Sequence, residues 1–241
     1  MEVHHHAHTT RKKWTHYFWE FLMLFLAVFC GFLAENKREH LVEKNRAKQF
    51  AISLLYDLKL DTATISNISD SREDKNKIIS ALMDELEKKT SEQNDSAIFL
   101  LTNFLLKRSY FTSNSGTYEQ VKNSGSLRYF DKIIAATFVK YESYNVVLGK
   151  ALDMEDKFMS ENIIRLRNDI CNPIDVRYQR ENKPTTPSKH RVNKNPELQL
   201  ELYKGLNYVY ERNLIYSLNL STAKELATDL VKKLEETYHI K

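Results

Sequence analysis

The chain has 241 residues, and its 36 basic and 32 acidic side chains leave a formal net charge of only +4 at pH 7. A nucleic-acid-binding domain usually carries a more lopsided charge, so this balance argues against that class of partner. Only 5 Gly and 4 Pro occur, which is far below average usage. Their scarcity argues against turn-rich β architectures and favours long helices.

The first predicted element is a membrane span, Tyr17 to Ala34, with the sequence YFWEFLMLFLAVFCGFLA. Eighteen helical residues rise about 27 Å, which is close to the thickness of the hydrocarbon core of a bilayer. Trp14 and Trp19 suit an aromatic belt, and basic residues flank the segment on both sides. Because no small-residue cleavage site follows the segment, we expect an uncleaved signal anchor rather than a signal peptide.

The sequence signals for the orientation of this span are nearly balanced, and we expect an inner-membrane protein with its N terminus inside and its C-terminal domain in the periplasm. The basic residues just before it are Arg11, Lys12 and Lys13, and those shortly after it are Lys37, Arg38, Lys44, Arg46 and Lys48. Counting Lys and Arg therefore favours a cytoplasmic C-terminal domain. A short basic N terminus ahead of an uncleaved anchor commonly stays inside, which favours the opposite orientation.

Residues 35–241 are predicted to form an extramembrane helical bundle. Its first helix, residues 47–88, has apolar residues at a 3-4 spacing that predicts a coiled-coil-like seam. The seam positions are Ala51, Leu54, Leu58, Asp61, Ile65, Ile68, Arg72, Lys75, Ile79, Leu82 and Leu86. Because the three charged members lie in the middle, we expect the seam to loosen between Asp61 and Lys75.

Two shorter helices are predicted next, the first over residues 95–107. Thr117 and Gln120 match a capping box, which predicts a second short helix that ends at Gly125. Tyr118 and Val121 are expected to point into the bundle. Gly125 is expected to adopt a left-handed backbone conformation, which glycine does without a Cβ penalty.

Two further long helices are predicted over residues 127–169 and 197–238. The second begins at Asn195-Pro196, since proline suits the first helical turn. The proline-rich stretch between them, residues 171–196, is predicted to be a basic loop. Its basic residues are Arg177, Arg180, Lys183, Lys189, Arg191 and Lys194. The predicted fold class is therefore all-α, with one N-terminal transmembrane helix followed by an antiparallel helical bundle of long helices.

Few residues suggest chemistry. The tail, residues 1–16, carries His4, His5, His6, His8 and His16, and imidazoles can bind Zn²⁺ or Cu²⁺. No Cys, Asp or Glu is placed to complete a rigid site, so a flexible, titratable tail is the favoured interpretation. Cys30 lies in the span and Cys171 in the bundle, so the two cannot form a disulfide within one domain.

Within the span, Glu20 is the single acidic residue, and such residues are candidates for function. It lies three residues past Tyr17, so we expect a partly hydrated position near the interface rather than a proton relay. Ala27 and Gly31 form a small-xxx-small pair, a pattern that lets two helices approach closely. Together with the seam, this pair predicts a homodimer or a larger homo-oligomer.

The sequence contains no phosphate-binding loop, dinucleotide fingerprint, zinc-protease, nucleophile-elbow or C-x-x-C motif. The carboxylates of Asp153, Glu155 and Asp156 are interpreted as a solvated helix face. We therefore expect no catalytic, cofactor-binding or metal-binding residue and no enzyme activity. A non-catalytic module that acts through binding or assembly is favoured, and an accessory subunit of a transporter or enzyme complex is the alternative.

Residues 111–127, FTSNSGTYEQVKNSGSL, carry a pattern of Tyr, then Leu or Val, then Ser-Gly, then an apolar residue. The matching residues are Tyr118, Val121, Ser124, Gly125 and Leu127. This pattern resembles a signature of uncharacterised bacterial membrane proteins known only as domains of unknown function. The opening MEVHHH, the stretch RKKWTHYFWEFLMLFLAVFCGFLAE and REH resemble the same group. The resemblance implies a single-span protein of the bacterial envelope with a helical extramembrane domain, and no known reaction, ligand or partner.

Overall fold

A computed structural model describes residues 14–183 and 191–240 of the chain. These residues are helical with short connections, and the β pairing among them is one isolated antiparallel bridge between Cys171 and Val192. The all-α prediction is confirmed. The chain divides into two compact units, Met1–Gln49 and Phe50–Lys241.

The first helix, α1, is Trp14–Glu87, and its N-terminal part makes up the described portion of the first unit. An 18-residue window of this helix has a mean hydropathy of 2.0, and none of that window is buried. Its large apolar side chains between Trp14 and Leu33, with the exception of Leu22, are 43–84% exposed among the described residues. By length and composition, this segment could cross a membrane.

The second unit continues α1 with a series of shorter and longer helices. They are α2 (Asp95–Phe104), α3 (Gly116–Asn123), a 3₁₀ turn (Ser126–Tyr129), α4 (Lys132–Phe158), a π-helical turn (Met159–Ile163), α5 (Ile164–Ile170), α6 (Pro173–Arg180) and α7 (Pro196–Tyr238).

The first and fourth helices run in the same direction. Asp61 of α1 contacts Tyr141 of α4, and Arg72 farther along α1 contacts Glu155 farther along α4. Two parallel helices require a long return connection. Here the chain returns through α2 and an extended segment, residues 107–115, that lies against α1 and α7.

The last long helix runs antiparallel to α1. Lys59 pairs with Glu235 near the C-terminal end of α7, whereas Arg72 bonds Asn213 in its middle. The N terminus of α7 is where the sequence predicts it, because Asn195 accepts a hydrogen bond from the backbone N–H of Glu197 at 2.8 Å and Pro196 occupies the first turn.

Two hydrophobic clusters stabilise the second unit. The first cluster contains residues between 51 and 65 of α1, between 134 and 148 of α4, and between 216 and 234 of α7. The second cluster contains Ile79 and Leu82 of α1, residues 159–170, and residues between 202 and 209 of α7. In α1 and α7 a stretch without buried apolar residues separates the two clusters, and a similar stretch lies between Leu148 of α4 and Met159 of the π-helical turn.

The predicted seam of α1 is real, but its role differs from the prediction. Its apolar members, such as Leu54 and Ile65, are buried within the chain's own bundle, so this face is not available for a coiled coil with a second copy. The prediction that the seam loosens between Asp61 and Lys75 is wrong. Asp61, Arg72 and Lys75 are themselves buried, because each is paired with partners from other elements.

Three boundaries also differ from the predictions. The predicted helix 127–169 is interrupted at Phe130, and Asp131 then caps α4 by accepting a hydrogen bond from Ile133 N–H. The predicted loop 171–196 contains α6, which Asn172 caps in the same way. The capping box is wrong, because α3 starts at Gly116 and receives no side-chain cap.

Candidate functional site

A layer of charged and polar side chains lies between the two hydrophobic clusters. We call it the charged layer and define it as Arg72 and Lys75 of α1, Glu155 of α4 and Asn213 of α7. All four residues are buried, with Arg72 1% and Asn213 0% exposed. Arg72, Lys75 and Asn213 lie on their helices between apolar residues of the first cluster and apolar residues of the second. Glu155 lies between Leu148 of the first cluster and Met159 of the second.

The Glu155 carboxylate joins the two cations of the layer. Arg72 Nη1 donates to one carboxylate oxygen at 2.6 Å, and Lys75 Nζ donates to the other at 2.5 Å. Asn213 completes the layer, since its Oδ1 accepts from Arg72 Nη1 at 2.9 Å. Its Nδ2 donates to the backbone carbonyl of Arg72 and to Asn76 Oδ1, both at 2.8 Å. These hydrogen bonds thus connect α1, α4 and α7 at the same height along the bundle.

The aromatic ring of Tyr216 forms one wall of the charged layer. The Arg72 guanidinium lies 4.1 Å from the centre of this ring, which is a favourable cation–π position. The Tyr216 hydroxyl accepts a hydrogen bond from the Phe111 backbone N–H at 3.1 Å, so the same side chain also holds the extended segment. Burial raises the pKa of Tyr216, and this hydroxyl therefore keeps its proton.

The two cations share a single carboxylate, which sets the protonation of the layer. Burial alone would raise the pKa of Glu155, but the attraction of Lys75 and Arg72 outweighs it and holds that pKa below its usual value. Burial lowers the pKa of Lys75, and the attraction of Glu155 only partly opposes this effect. Glu155 therefore stays ionised beside Arg72, and Lys75 is the group whose charge burial disfavours.

A second buried carboxylate, Asp61, fastens the extended segment to the bundle. One of its oxygens accepts from the backbone N–H and the side-chain amide of Asn114, at 2.9 and 2.7 Å. The other accepts from Ser113 Oγ at 2.7 Å and from the Tyr141 hydroxyl at 2.6 Å. Burial and this bond to Asp61 raise the pKa of Tyr141. All four donors come from side chains or backbone outside α1.

These two arrangements connect the long helices with each other and with the extended segment. Their guanidinium, ammonium, carboxylate, amide and hydroxyl groups form hydrogen bonds with one another. Among the described residues no group of three or more His, Cys, Asp or Glu could hold a metal ion. The arrangement specifies which helix faces meet.

The candidate residues that the sequence indicates in or near the span belong to the first unit. Glu20 has a partner on its own helix, with its carboxylate 3.3 Å from His16 Nε2. Ala27 and Gly31 are exposed on α1, and a side chain added at Gly31 would meet no atom within 4 Å. The four histidines at positions 4, 5, 6 and 8 lie outside the described residues.

The predicted basic loop is partly folded and partly ion-paired. Arg177 and Arg180 belong to α6. Arg191 lies 3.5 Å from Asp175, and Lys194 lies 2.7 Å from Asp95, so these two cations bind neighbouring elements. Lys189 lies outside the described residues. Cys171, in the same region, is buried, and burial raises the pKa of its thiol to about 11, which keeps it protonated and unreactive.

The charged layer and the Asp61 cluster were not predicted, although their residues stand out in the sequence. Asp61, Arg72 and Lys75 occupy inward positions of a helical apolar pattern, and that position is itself a signal for burial with a partner. The interpretation of Glu155 as part of a solvated face is wrong. It lies seven residues after buried Leu148 on α4, so helical spacing could have placed it inward.

Comparison with protein-family models, curated proteins and solved structures gives no match to this chain.

Proposed function

We propose that the protein is a membrane-anchored, non-catalytic helical module that acts through binding or assembly. One observation carries the proposal, namely the uncovered apolar segment of α1 that precedes the bundle. Exposure of an apolar surface of this extent to water is unfavourable, and the hydrocarbon core of a bilayer removes that surface from water. The same helix also contributes apolar core residues to the bundle. The proposed anchor and the first helix of the bundle are therefore one continuous α-helix.

The non-catalytic part of the proposal is supported by what the buried ionisable groups do. Asp61, Arg72, Lys75 and Glu155 each bond groups on other helices or on the extended segment. Groups that serve chemistry have to face a substrate, whereas these groups face each other. Their arrangement is suited to a bundle with one defined packing, which a binding or scaffolding module needs.

Assembly is proposed to occur in the membrane through the Ala27/Gly31 face of α1. Small residues let two helices pack closely in lipid, and the exposed Gly31 leaves that face open. The seam of the bundle does not contribute, because its apolar residues fill the chain's own core. The proposed assembly is a homodimer.

A two-helix membrane reporter assay tests this assembly. Gly31→Ile should weaken the association signal, because the added side chain separates the two helices. Phe29→Ile, which changes a residue on another face of the same helix, should leave the signal near the wild-type level. An unchanged signal for Gly31→Ile would remove the span from the interface.

We propose that the membrane is a bacterial inner membrane and that the bundle lies in the periplasm. The short basic N terminus ahead of an uncleaved anchor supports retention of that terminus in the cytoplasm. The larger number of Lys and Arg after the span opposes it. Alkaline phosphatase fused after Lys241 should be active, and an inactive phosphatase with an active cytoplasmic reporter at the same position would reverse the orientation.

A further inference from the structure

A groove on the surface of the second unit lies between α2, α5 and α6. It has a cavity volume of about 390 Å³, within the range of small-molecule sites, and is lined by Asn103, Phe104, Arg167, Val176, Gln179 and Arg180. Two guanidinium groups and two amides thus face one space, and no acidic residue lines it.

In the described parts of the chain, neither arginine of this groove forms an ion pair with a carboxylate. The one side-chain hydrogen bond of Arg167 goes to the neutral Asn168 Oδ1 at 2.8 Å, and its Nε is buried without a partner among the described residues. Arg180 has no carboxylate within ion-pair distance in the described parts of the chain. The neighbouring carboxylate, Glu181, forms ion pairs with Arg177 at 2.8 Å and with Lys183 at 2.6 Å, and Arg180 attracts it only from beyond ion-pair distance.

Residues 184–190, which lie outside the described residues, have the sequence PTTPSKH and contain no Asp or Glu. A buried N–H donor without an acceptor is unfavourable, and two like charges that line one groove repel each other. An anion in the groove would remove both costs.

A larger groove nearby is less suited to an anion. It has a volume of about 590 Å³ and is lined by residues that include Asp95, Asp169 and Lys194. Lys194 already pairs with Asp95 at 2.7 Å, so the charges of that groove compensate each other. Unpaired positive charge is thus the property that distinguishes the groove at Arg167 and Arg180.

We propose that the groove between α2, α5 and α6 binds a small organic oxyanion, a phosphate or carboxylate that carries an apolar group. Guanidinium N–H groups match the oxygens of such anions in geometry and charge, and the Gln179 amide can supply a further donor. Phe104, 53% exposed, and Val176 offer an apolar wall for the attached group. This inference rests on the proposed binding function and names the class of ligand.

Isothermal titration calorimetry on the full chain in neutral detergent micelles tests the inference, with phenyl phosphate as the probe. Arg167→Gln and Arg180→Gln should each weaken binding about tenfold, because each removes a charge-assisted contact. Arg177→Gln and Arg165→Gln are the matched controls on α6 and α5, since both arginines are already paired with glutamates. The controls should bind within about twofold of the wild type.

Two further probes define the chemistry of the ligand. Phenol, which has the apolar ring without the charge, should not bind, and inorganic phosphate should bind more weakly than phenyl phosphate. Phosphatidylglycerol added to the micelles offers the same phosphate chemistry from a lipid headgroup. Displacement of phenyl phosphate by this lipid would assign the site to headgroups, and absence of displacement would assign it to soluble anions. Both results support an oxyanion site.

The inference is overturned if phenyl phosphate does not bind saturably, or if it binds all variants and controls equally. Arg180 is exposed, so its variant should fold even if Arg167→Gln does not. The outcome is independent of membrane anchoring, because neither arginine belongs to α1. A protein that resists extraction from membranes but binds no anion would contradict this inference alone.

Discussion

Glu155 on α4 accepts a hydrogen bond from Arg72 on α1 at 2.6 Å, in a layer that separates two hydrophobic clusters. The same carboxylate binds Lys75 at 2.5 Å. Buried ion pairs add little stability compared with apolar residues of the same size, but the loss of one partner is severe. The pair therefore determines how α1 and α4 align more than how tightly they associate.

The first prediction concerns the single carboxylate of the charged layer. Glu155→Gln leaves Arg72 and Lys75 buried without a counter-charge, and we expect a loss of about 3–5 kcal/mol in the free energy of unfolding. Circular dichroism during denaturation of the full chain in micelles measures this loss. Tryptophan fluorescence would not, because both tryptophans, Trp14 and Trp19, lie at the apolar segment.

Asp153→Asn is the matched control for this prediction. Asp153 is an exposed carboxylate of the same helix, two residues from Glu155, so its replacement should change the free energy of unfolding by no more than about 0.5 kcal/mol. Equal stabilities of the two variants would contradict the assignment of Glu155 as the counter-charge of the layer.

The second prediction concerns alkaline pH and Lys75. Because burial lowers its pKa in the folded state, the unfolded state holds this proton more tightly between the folded-state pKa and the unfolded value of about 10.4. Stability contributed through Lys75 therefore rises with pH in that window. The wild type should gain stability relative to Lys75→Met as the pH rises toward the unfolded value of about 10.4.

Chemical denaturation at several pH values measures this difference. Lys150→Met, which removes an exposed lysine of α4, is the control for a general effect of charge. A wild type that loses stability relative to Lys75→Met as the pH rises would show that the ammonium form of Lys75 is favoured by folding.

The third prediction concerns the extended segment, residues 107–115. Asp61→Ala removes the acceptor of four hydrogen bonds, from Ser113, Asn114 and Tyr141. We expect a loss of several kcal/mol in the free energy of unfolding, since each buried donor left unpaired costs about 1–3 kcal/mol.

Hydrogen exchange provides a local measurement for Asp61→Ala. The backbone N–H of Asn114 should exchange much faster in the variant, whereas amides in the middle of α7 should change less. Asp57→Ala, on the same helix one turn earlier, is the control. Unchanged protection at Asn114 would mean that Asp61 does not hold the segment.

The fourth prediction concerns Gly125, which links α3 to the 3₁₀ turn. Its φ of 68° lies in the left-handed region, and a Cβ at this position would meet no atom within 4 Å. A substitution at Gly125 is therefore destabilising through backbone strain and not through a clash of its Cβ with neighbouring atoms. Gly125→Val should lower the free energy of unfolding by about 1 kcal/mol or more.

The variant Gly125→Asn distinguishes backbone strain from a steric effect of the added side chain. Asparagine tolerates the left-handed region better than a β-branched residue, so this variant should lose less stability than Gly125→Val. Thermal melts of both variants make the comparison. Equal melting temperatures for wild type and Gly125→Val would show that the turn imposes no conformational requirement and would favour a contact role for this loop.

Local sequence signals predicted local structure well. Asn195-Pro196 begins α7, Gly125 adopts a left-handed conformation, and Tyr118 and Val121 are buried, as expected from capping, backbone freedom and helical spacing. The helix α6 could have been found by the same reasoning, because Asn172-Pro173 repeats the pattern of Asn195-Pro196.

Long-range pairing could not be predicted from these signals. Arg72 and Glu155 are 83 residues apart, and nothing local to either one indicates that they meet. From the sequence alone, charged residues at inward positions predict that the seam loosens. In the structure, hydrogen bonds to partners distant in sequence compensate the cost of burying each charge. The parallel arrangement of α1 and α4 likewise depends on the extended segment, which has no periodic pattern.

Alkaline carbonate extraction of membranes that contain the full-length protein tests membrane anchoring most directly. The uncovered apolar segment between Tyr17 and Ala34 predicts that the protein remains in the membrane pellet. Replacement of Leu26 and Phe29 by arginine should release it, because each mid-span arginine costs about 2.5–3.5 kcal/mol on insertion scales. A wild-type protein that is soluble without detergent, or that loses its first 35 residues on maturation, would contradict the account.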